Sequence, residues 1–199
     1  RDIQSLDTAK RNLTATVTAL KRLVMLVMAL EQLRTFAAGR AYGEAGALIE
    51  AVEQLAEHFA ELRTRVVRID ELINQKEQIF SELEKQLLED YEAILDPNEE
   101  YAEELKGADT CVDSLGMQMR RTVITNFCFK ILEDYKHHFQ PGEESSGLDC
   151  AERRYAWLRR ALREFENKHV ERFPKHWNVP CYLCEHFCHI TRQHLVEVL

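Results

Sequence analysis

The first proline of this chain is Pro97, so its first 96 residues run without the one residue that stops a helix outright. Over that stretch apolar residues recur every three and four positions, and no segment sustains the period-two alternation of a half-buried strand. Glycine is scarce too. Gly 7 and Pro 4 make 11 of 199 residues, about half the ~12% of average usage. A sheet protein of this size needs many more turn residues, so the expected fold is all-α. With 45% hydrophobic residues the chain is also too apolar to be disordered.

Residues 3–37 read as one helix. Ile3, Val17 and Val24 fall on one heptad position and Leu6, Leu13, Leu20 and Val27 on the paired one. Lys10 interrupts the first set, and Glu31 and Arg34 end both. The seam spans about four heptads of a helix roughly 50 Å long. From Leu23 to Leu30 the helix is apolar on all sides and must be surrounded, by its own chain or by a partner. That run is far short of the ~20 residues that cross a bilayer. Leu6, Leu13, Val17, Leu20, Val24 and Val27 are the candidate partner-interface residues.

Gly39 and Arg40 break the pattern, and Tyr42–Leu62 resumes it. Ala45, Leu48, Ile49, Val52, Leu55, Ala56, Phe59 and Leu62 share one face, with glutamates mostly on the wet side. A third helix is expected over Thr64–Leu95, where Val66, Ile73, Phe80, Leu87 and Ile94 repeat by sevens. Helices joined by such short links stack antiparallel. Asp96-Pro97-Asn98 ends the third helix, and a polar, acidic connection runs to about Gly107. Helical periodicity returns over 109–139 with a break at Gly116. Gln140–Gly147 is a loop. Asp149 and Glu152 have capping-box spacing before a helix with Tyr155, Leu158, Leu162 and Phe165 on its apolar face. Phe173-Pro174 closes that helix, and Pro180 opens a last one through Leu199. The expected division is a long-helix coiled-coil segment over 1–95, an acidic linker over 96–107, and a helical-bundle rod segment over 108–199.

Net charge is 26 − 34 = −8, which supports no global attraction to nucleic acid or anionic lipid. Between Asp149 and Asn178, eight Lys/Arg stand against five Asp/Glu. Arg153, Arg154, Arg159, Arg160 and Arg163 form a candidate basic face there. Its plain alternative is a solvated helix surface with glutamates interleaved. No cationic leader with a cleavage site opens the chain. It begins at Arg1 without a methionine and is read as an excerpt of a longer protein. Six cysteines on long helices do not resemble a small stapled secreted fold, which points to a reducing cytosol.

Cys181-x-x-Cys184-x-His186-x-Cys188-His189 carries zinc-type ligands. On a straight helix, however, Cys181 and Cys188 stand about 10 Å apart along the axis, too far for one zinc. A buried stripe of thiols is the expected arrangement. A helical metal-binding or redox domain on the Cys181–Cys188 cluster is the alternative reading. Thioredoxin-type chemistry lacks its preceding strand. Glu166-x-x-His169 and Asp134-x-x-His137 lack the further inward glutamates of a di-iron bundle. No phosphate loop or nucleophile elbow occurs. The residues thus point to no catalytic set, no metal site and no cofactor.

Three stretches resemble the vacuolar protein sorting-associated protein 53 family. They are LDTAKRNLTATVTAL at Leu6–Leu20, RAYGEAGALIEAVEQLAEHF at Arg40–Phe59, and RRYAWLRRALREFENKHVERFPKHW at Arg153–Trp177 followed by EHFCHITRQHL at Glu185–Leu195. Together they cover about a third of the chain. The resemblance implies a non-enzymatic, N-terminal-half scaffold fragment of long antiparallel helices leading into a helical-bundle rod. The family builds a multisubunit tether, the Golgi-associated retrograde protein complex and its endosomal recycling sibling. It implies sister subunits as partners through helix–helix packing, with SNAREs or small GTPases met only at the level of the whole complex. It implies no nucleic-acid partner. The implied location is cytosolic and peripheral at trans-Golgi network and endosome membranes, through the complex alone.

Overall fold

The computed structural model describes residues 2–93, 105–140, 142, 147 and 150–198, and every regular element among them is helical. The chain divides into two compact units, Arg1–Glu89 with Glu100–Gly116 and Asp90–Glu99 with Met117–Leu199.

The first unit begins with α1 (Asp2–Ala38) and α2 (Tyr42–Glu57). The turn between them is a Schellman motif. Ala41 N–H bonds the Phe36 carbonyl at 2.9 Å and Arg40 N–H that of Ala37 at 3.1 Å. The left-handed residue of the motif is Arg40, at φ 52, not the adjacent Gly39. Past the turn α2 runs back along α1. Arg22 Nη1 donates to His58 Nε2 at 2.8 Å, and these two residues lie equally far along the chain from Arg40. The hairpin therefore covers α1 only from about Arg22 onward. Leu26, Leu30 and Leu33 of α1 and Ile49, Val52 and Ala56 of α2 are buried.

Helix α3 (Val67–Ala93) runs antiparallel to α2, its last residues from Asp90 grouping with the second unit. Lys76 Nζ lies 4.0 Å from the Glu53 carboxylate, and Gln86 Nε2 donates to the Ala37 carbonyl at 3.2 Å. In the link, the Arg63 guanidinium spans Asp70 at 2.9 Å and Glu77 at 2.8 Å, which raises its pKa through those two hydrogen bonds.

Helix α4 (Ala108–Leu115) packs on α2 at very close range, and glycines permit it. A Cβ at Gly107, φ +80, would lie 2.6 Å from Gly43 Cα, and one at Gly46 would lie 3.0 Å from Cys111 Cα. By this packing α4 belongs with the first unit, whereas the division expected from the residues groups it with the rod segment over 108–199. Gly116 ends α4 at φ 105, ψ 176, a conformation essentially reserved for glycine, so the break expected there is found.

The second unit contains α5 (Met117–Ile131), α6 (Glu133–His138), α7 (Ala151–Lys168) and α8 (Val179–Val198). One core centre is aromatic. Phe127 meets Phe173 at 4.6 Å between centroids, and Tyr91 lies 5.9 Å from Trp177. The other gathers on Tyr135, with Phe187 at 4.8 Å and Phe139 at 5.0 Å.

Some boundaries differ from expectation. The second helix stops at Glu57 and gives way to a 3₁₀ turn over Ala60–Leu62, which leaves Leu62 exposed. On α7, Tyr155 is exposed and its place on the buried face is taken by Arg154 and Ala161. Helix α7 starts after Cys150 with no side-chain cap. Asp149, the Asp96-Pro97-Asn98 stop, the linker as far as residue 104 and most of Gln140–Gly147 lie outside the described residues.

Candidate assembly surface

The first half of α1 is a helix that the other described residues leave almost without cover. Residues 3–18 are all exposed. The hydroxyls of Thr8, Thr14, Thr16 and Thr18 each donate to the carbonyl four residues back, at 2.8–3.0 Å. Arg11 faces Asp7 at 3.9 Å. With their hydroxyls turned onto their own helix, these threonines present mainly methyl groups outward.

Along this helix runs an exposed apolar stripe. Leu6 is 74% exposed, Leu13 67%, Leu20 57% and Val24 58%, with Val17 also exposed and Val27 half-buried. Leu26, two residues past Val24, is 1% exposed. At 3.6 residues per turn the stripe and the α2-facing residues Leu26, Leu30 and Leu33 lie on nearly opposite sides. The expectation that Leu23–Leu30 is surrounded is therefore met only on one side by this chain. Past the end of the hairpin the α2-facing side turns polar and small (Gln4, Thr8, Asn12, Ala15), while the stripe, interrupted at Lys10, runs apolar to Ile3. Its length is about 38 Å from Ile3 to Met28. Heptad counting missed Met25 and Met28, both exposed beside it. Met28 sits one step off the seam, and only the position of α2 shows which flank stays open.

Judged over the whole helix, Ile3–Ala38 is long and apolar enough by length and composition to cross a membrane, which corrects the inference from the Leu23–Leu30 run. The apolar window is Leu13–Leu30, and Lys21 and Arg22 stand at its centre. A bilayer would hold both cations at its midplane, at roughly 2.5–3.5 kcal/mol each. A partner helix on the stripe leaves Arg22 free to keep its bond to His58.

On α7, Arg153, Arg159, Arg160 and Arg163 are exposed and form no ion pair among the described residues. Arg154 does not belong with them. It is 1% exposed, and its place on the basic face is corrected. Its Nη1 donates to Tyr135 Oη at 2.9 Å and its Nη2 to the Phe139 carbonyl at 3.2 Å, with the guanidinium 4.9 Å from the Phe139 ring. Tyr135 Oη in turn lies 2.6 Å from Thr191 Oγ1. The arginine is thus a core cation tying α6, α7 and α8 together. The signal was its register, Arg154 four residues before Leu158 and seven before Ala161.

The expected stripe of buried thiols on α8 is also corrected. Cys181 and Cys188 are exposed and Cys184 is half-buried, because Val179, Leu183, Phe187 and Ile190 occupy the inward face and the cysteines fall beside it. Burial raises the Cys184 pKa, with Cys181 and Cys188 adding to it. Cys111 and Cys128 are buried, which pushes each thiol up to about 12. Among the described residues no group of three or more His, Cys, Asp or Glu is placed to hold a metal ion. His169, of the Glu166-x-x-His169 pair, lies half-buried against Phe127 at 5.5 Å, while Glu166 and His137 are exposed.

Among known proteins, a family model described as "Vps53, N-terminal" matches residues 1–199. The chain is 41% identical over 204 residues to vacuolar protein sorting-associated protein 53 A of Arabidopsis thaliana, covering 100% of this chain and 24% of that protein. It is 35% identical to protein 53 B of the same plant, over 100% of this chain and 35% of that protein. With the Caenorhabditis elegans homolog it shares 26% over 200 residues, 25% of that protein's length. The chain therefore spans a quarter to about a third of these curated relatives. No solved structure matches.

Proposed function

The chain belongs to the Vps53 N-terminal family, and from that membership we propose that it is a non-catalytic scaffold segment of a multisubunit vesicle-tethering complex. In this reading the complex acts in endosome-to-Golgi retrograde transport, or in endosomal recycling in its sibling form. The chain is cytosolic and reaches trans-Golgi network and endosome membranes only as part of the complex. SNAREs or small GTPases are met by the whole assembly.

One observation carries the role of this segment. The stripe of Leu6, Leu13, Val17, Leu20 and Val24 is exposed along a helix that the rest of the first unit leaves uncovered. Apolar heptads exposed over ~38 Å gain by burial against another helix, at about 25 cal/mol for each Å² of apolar surface removed from water. The mechanism is mechanical. Long helices fix a reach of tens of ångströms, and the stripe joins that rod to its sisters.

The test is co-expression of the chain with N-terminal segments of the sister tether subunits. A stoichiometric complex is the expected result. A well-behaved monomer that ignores every sister segment overturns the reading. The alternative, a metal or redox domain on Cys181, Cys184 and Cys188, requires stoichiometric metal or a dithiol titre that disappears on Cys→Ser substitution.

A further inference from the structure

We propose that Lys10 bars the α1 stripe from pairing with a second copy of this chain, and reserves it for a helix of a different chain that sets a carboxylate opposite Lys10. The inference rests on the assembly reading and adds the chemistry of the partner.

Lys10 occupies the heptad position otherwise held by Ile3, Val17 and Val24, in the middle of the apolar seam. Its side chain is exposed and forms no ion pair among the described residues. The nearest carboxylate on its own helix, Asp7, faces Arg11 at 3.9 Å. Once the stripe is covered, Lys10 therefore needs a counter-charge from outside this helix, or it stands desolvated and unpaired.

A second copy cannot supply one. β-branched residues on the Ile3 position with leucine on the Leu6 position are the pattern of parallel two-stranded pairing. In such a pair each seam residue enters a hole of four residues on the facing helix. Pairing with its own copy, Lys10 would enter a hole of that copy's Leu6, Ala9, Lys10 and Leu13, which brings two ammonium groups together and no carboxylate. Antiparallel self-pairing that matches Ile3 with Val27 sets Lys10 against Leu20 in both directions.

Nor do the flanks of the seam choose a partner. Such positions usually carry Glu and Lys that select one helix over another. Here Ala9, Thr14, Thr16, Leu23 and Met28 are uncharged, and between Ile3 and Met28 the flanks carry charge only at Asp7 and Lys21. The selective element is thus inside the seam. A single lysine at such a core position sets register and partner at some cost in stability.

Sedimentation velocity on the 199-residue chain and two variants tests this, with circular dichroism confirming unchanged helix content. Lys10→Val should self-associate about 100-fold or more tightly than the unaltered chain, since two buried ammonium groups are removed. An equal mixture of the unaltered chain and Lys10→Glu should form mixed dimers about tenfold or more in excess of either self-pair. If the unaltered chain dimerises as tightly as Lys10→Val, and Val17→Asp abolishes that dimer, the role of Lys10 is wrong while the stripe remains a pairing surface. If Lys10→Val stays monomeric and the chain also ignores the sister segments, both this proposal and the assembly reading fall.

Discussion

Val24 and Leu26 stand two residues apart on α1, and substitutions there should separate assembly from folding. Val24 is 58% exposed, and valine and aspartate rank together as helix formers. Val24→Asp should therefore change the stability of the isolated chain by no more than about 0.5 kcal/mol. In a complex the same carboxylate would be buried between helices without a counter-charge. A penalty of about 3 kcal/mol, at the low end for an unpaired buried charge, weakens binding by more than ~100-fold. Leu26 is 1% exposed beneath α2, so Leu26→Ala should cost about 2–5 kcal/mol. That is a large share of the ~5–15 kcal/mol typical of a domain, yet the folded fraction should keep its affinity. Urea denaturation of the lone chain and co-purification with the sister segments read the two quantities separately. If Val24→Asp lowers the denaturation midpoint as far as Leu26→Ala does, or retains full binding, the two-faced account of α1 is wrong.

Three further outcomes are expected. Gly107→Ala should destabilise the first unit by about 2–4 kcal/mol, combining left-handed strain with a Cβ 2.6 Å from the Gly43 backbone, whereas Gly116→Ala meets open space and should show strain alone; thermal melts of the two variants compare them. Maleimide at neutral pH should label Cys181 and Cys188 first and leave Cys111 and Cys128 untouched until unfolding, as mass spectrometry can follow; early labelling of Cys128 would contradict its burial. His169 and His194 are both held below the ordinary histidine pKa of 6.5, mainly by burial, then by Arg172 beside His169 and Arg154 beside His194. The unfolded chain therefore binds more protons below that value, so their contribution is complete above it and is lost as pH falls through the folded pKa values. Melting temperature should drop on going from pH 7.5 to 5.5, and a flat profile would refute this.

Much of the architecture is legible from the residues. The Ile3–Val27 heptads, the break at Gly116 and the helix opened by Pro180 rest on local rules that tertiary packing leaves intact. The turn after α1 is legible only in part. Glycine marks its place, but the left-handed residue is Arg40, because the Schellman bonds from Arg40 and Ala41 set the register of the turn. At Arg154 residue type and register point opposite ways, and register decides. An arginine among Arg153, Arg159 and Arg160 reads as surface, yet its heptad neighbours Leu158 and Ala161 face the core and the Tyr135 hydroxyl receives its charge. For the cysteines of α8 neither type nor spacing decides. They lie at the margin of the apolar arc, where side-chain type cannot tell inside from outside. For the stripe itself, the heptads name its residues but not whether this chain covers them. That depends on where α2 ends, and α2 is too short to reach the first twenty residues of α1.

Hydrogen exchange along α1, in the lone chain and in the complex with the sister segments, tests the central claim most directly. In the lone chain, amides of residues 3–18 should exchange through low-energy local opening, because no described residue covers them, while those around Leu26–Leu33 should show the protection of the hairpin. On assembly, protection should spread over residues 3–25 and leave Leu26–Leu33 little changed. Residues 3–18 already as protected as Leu33 in the lone chain, or unchanged in the complex, would contradict the account.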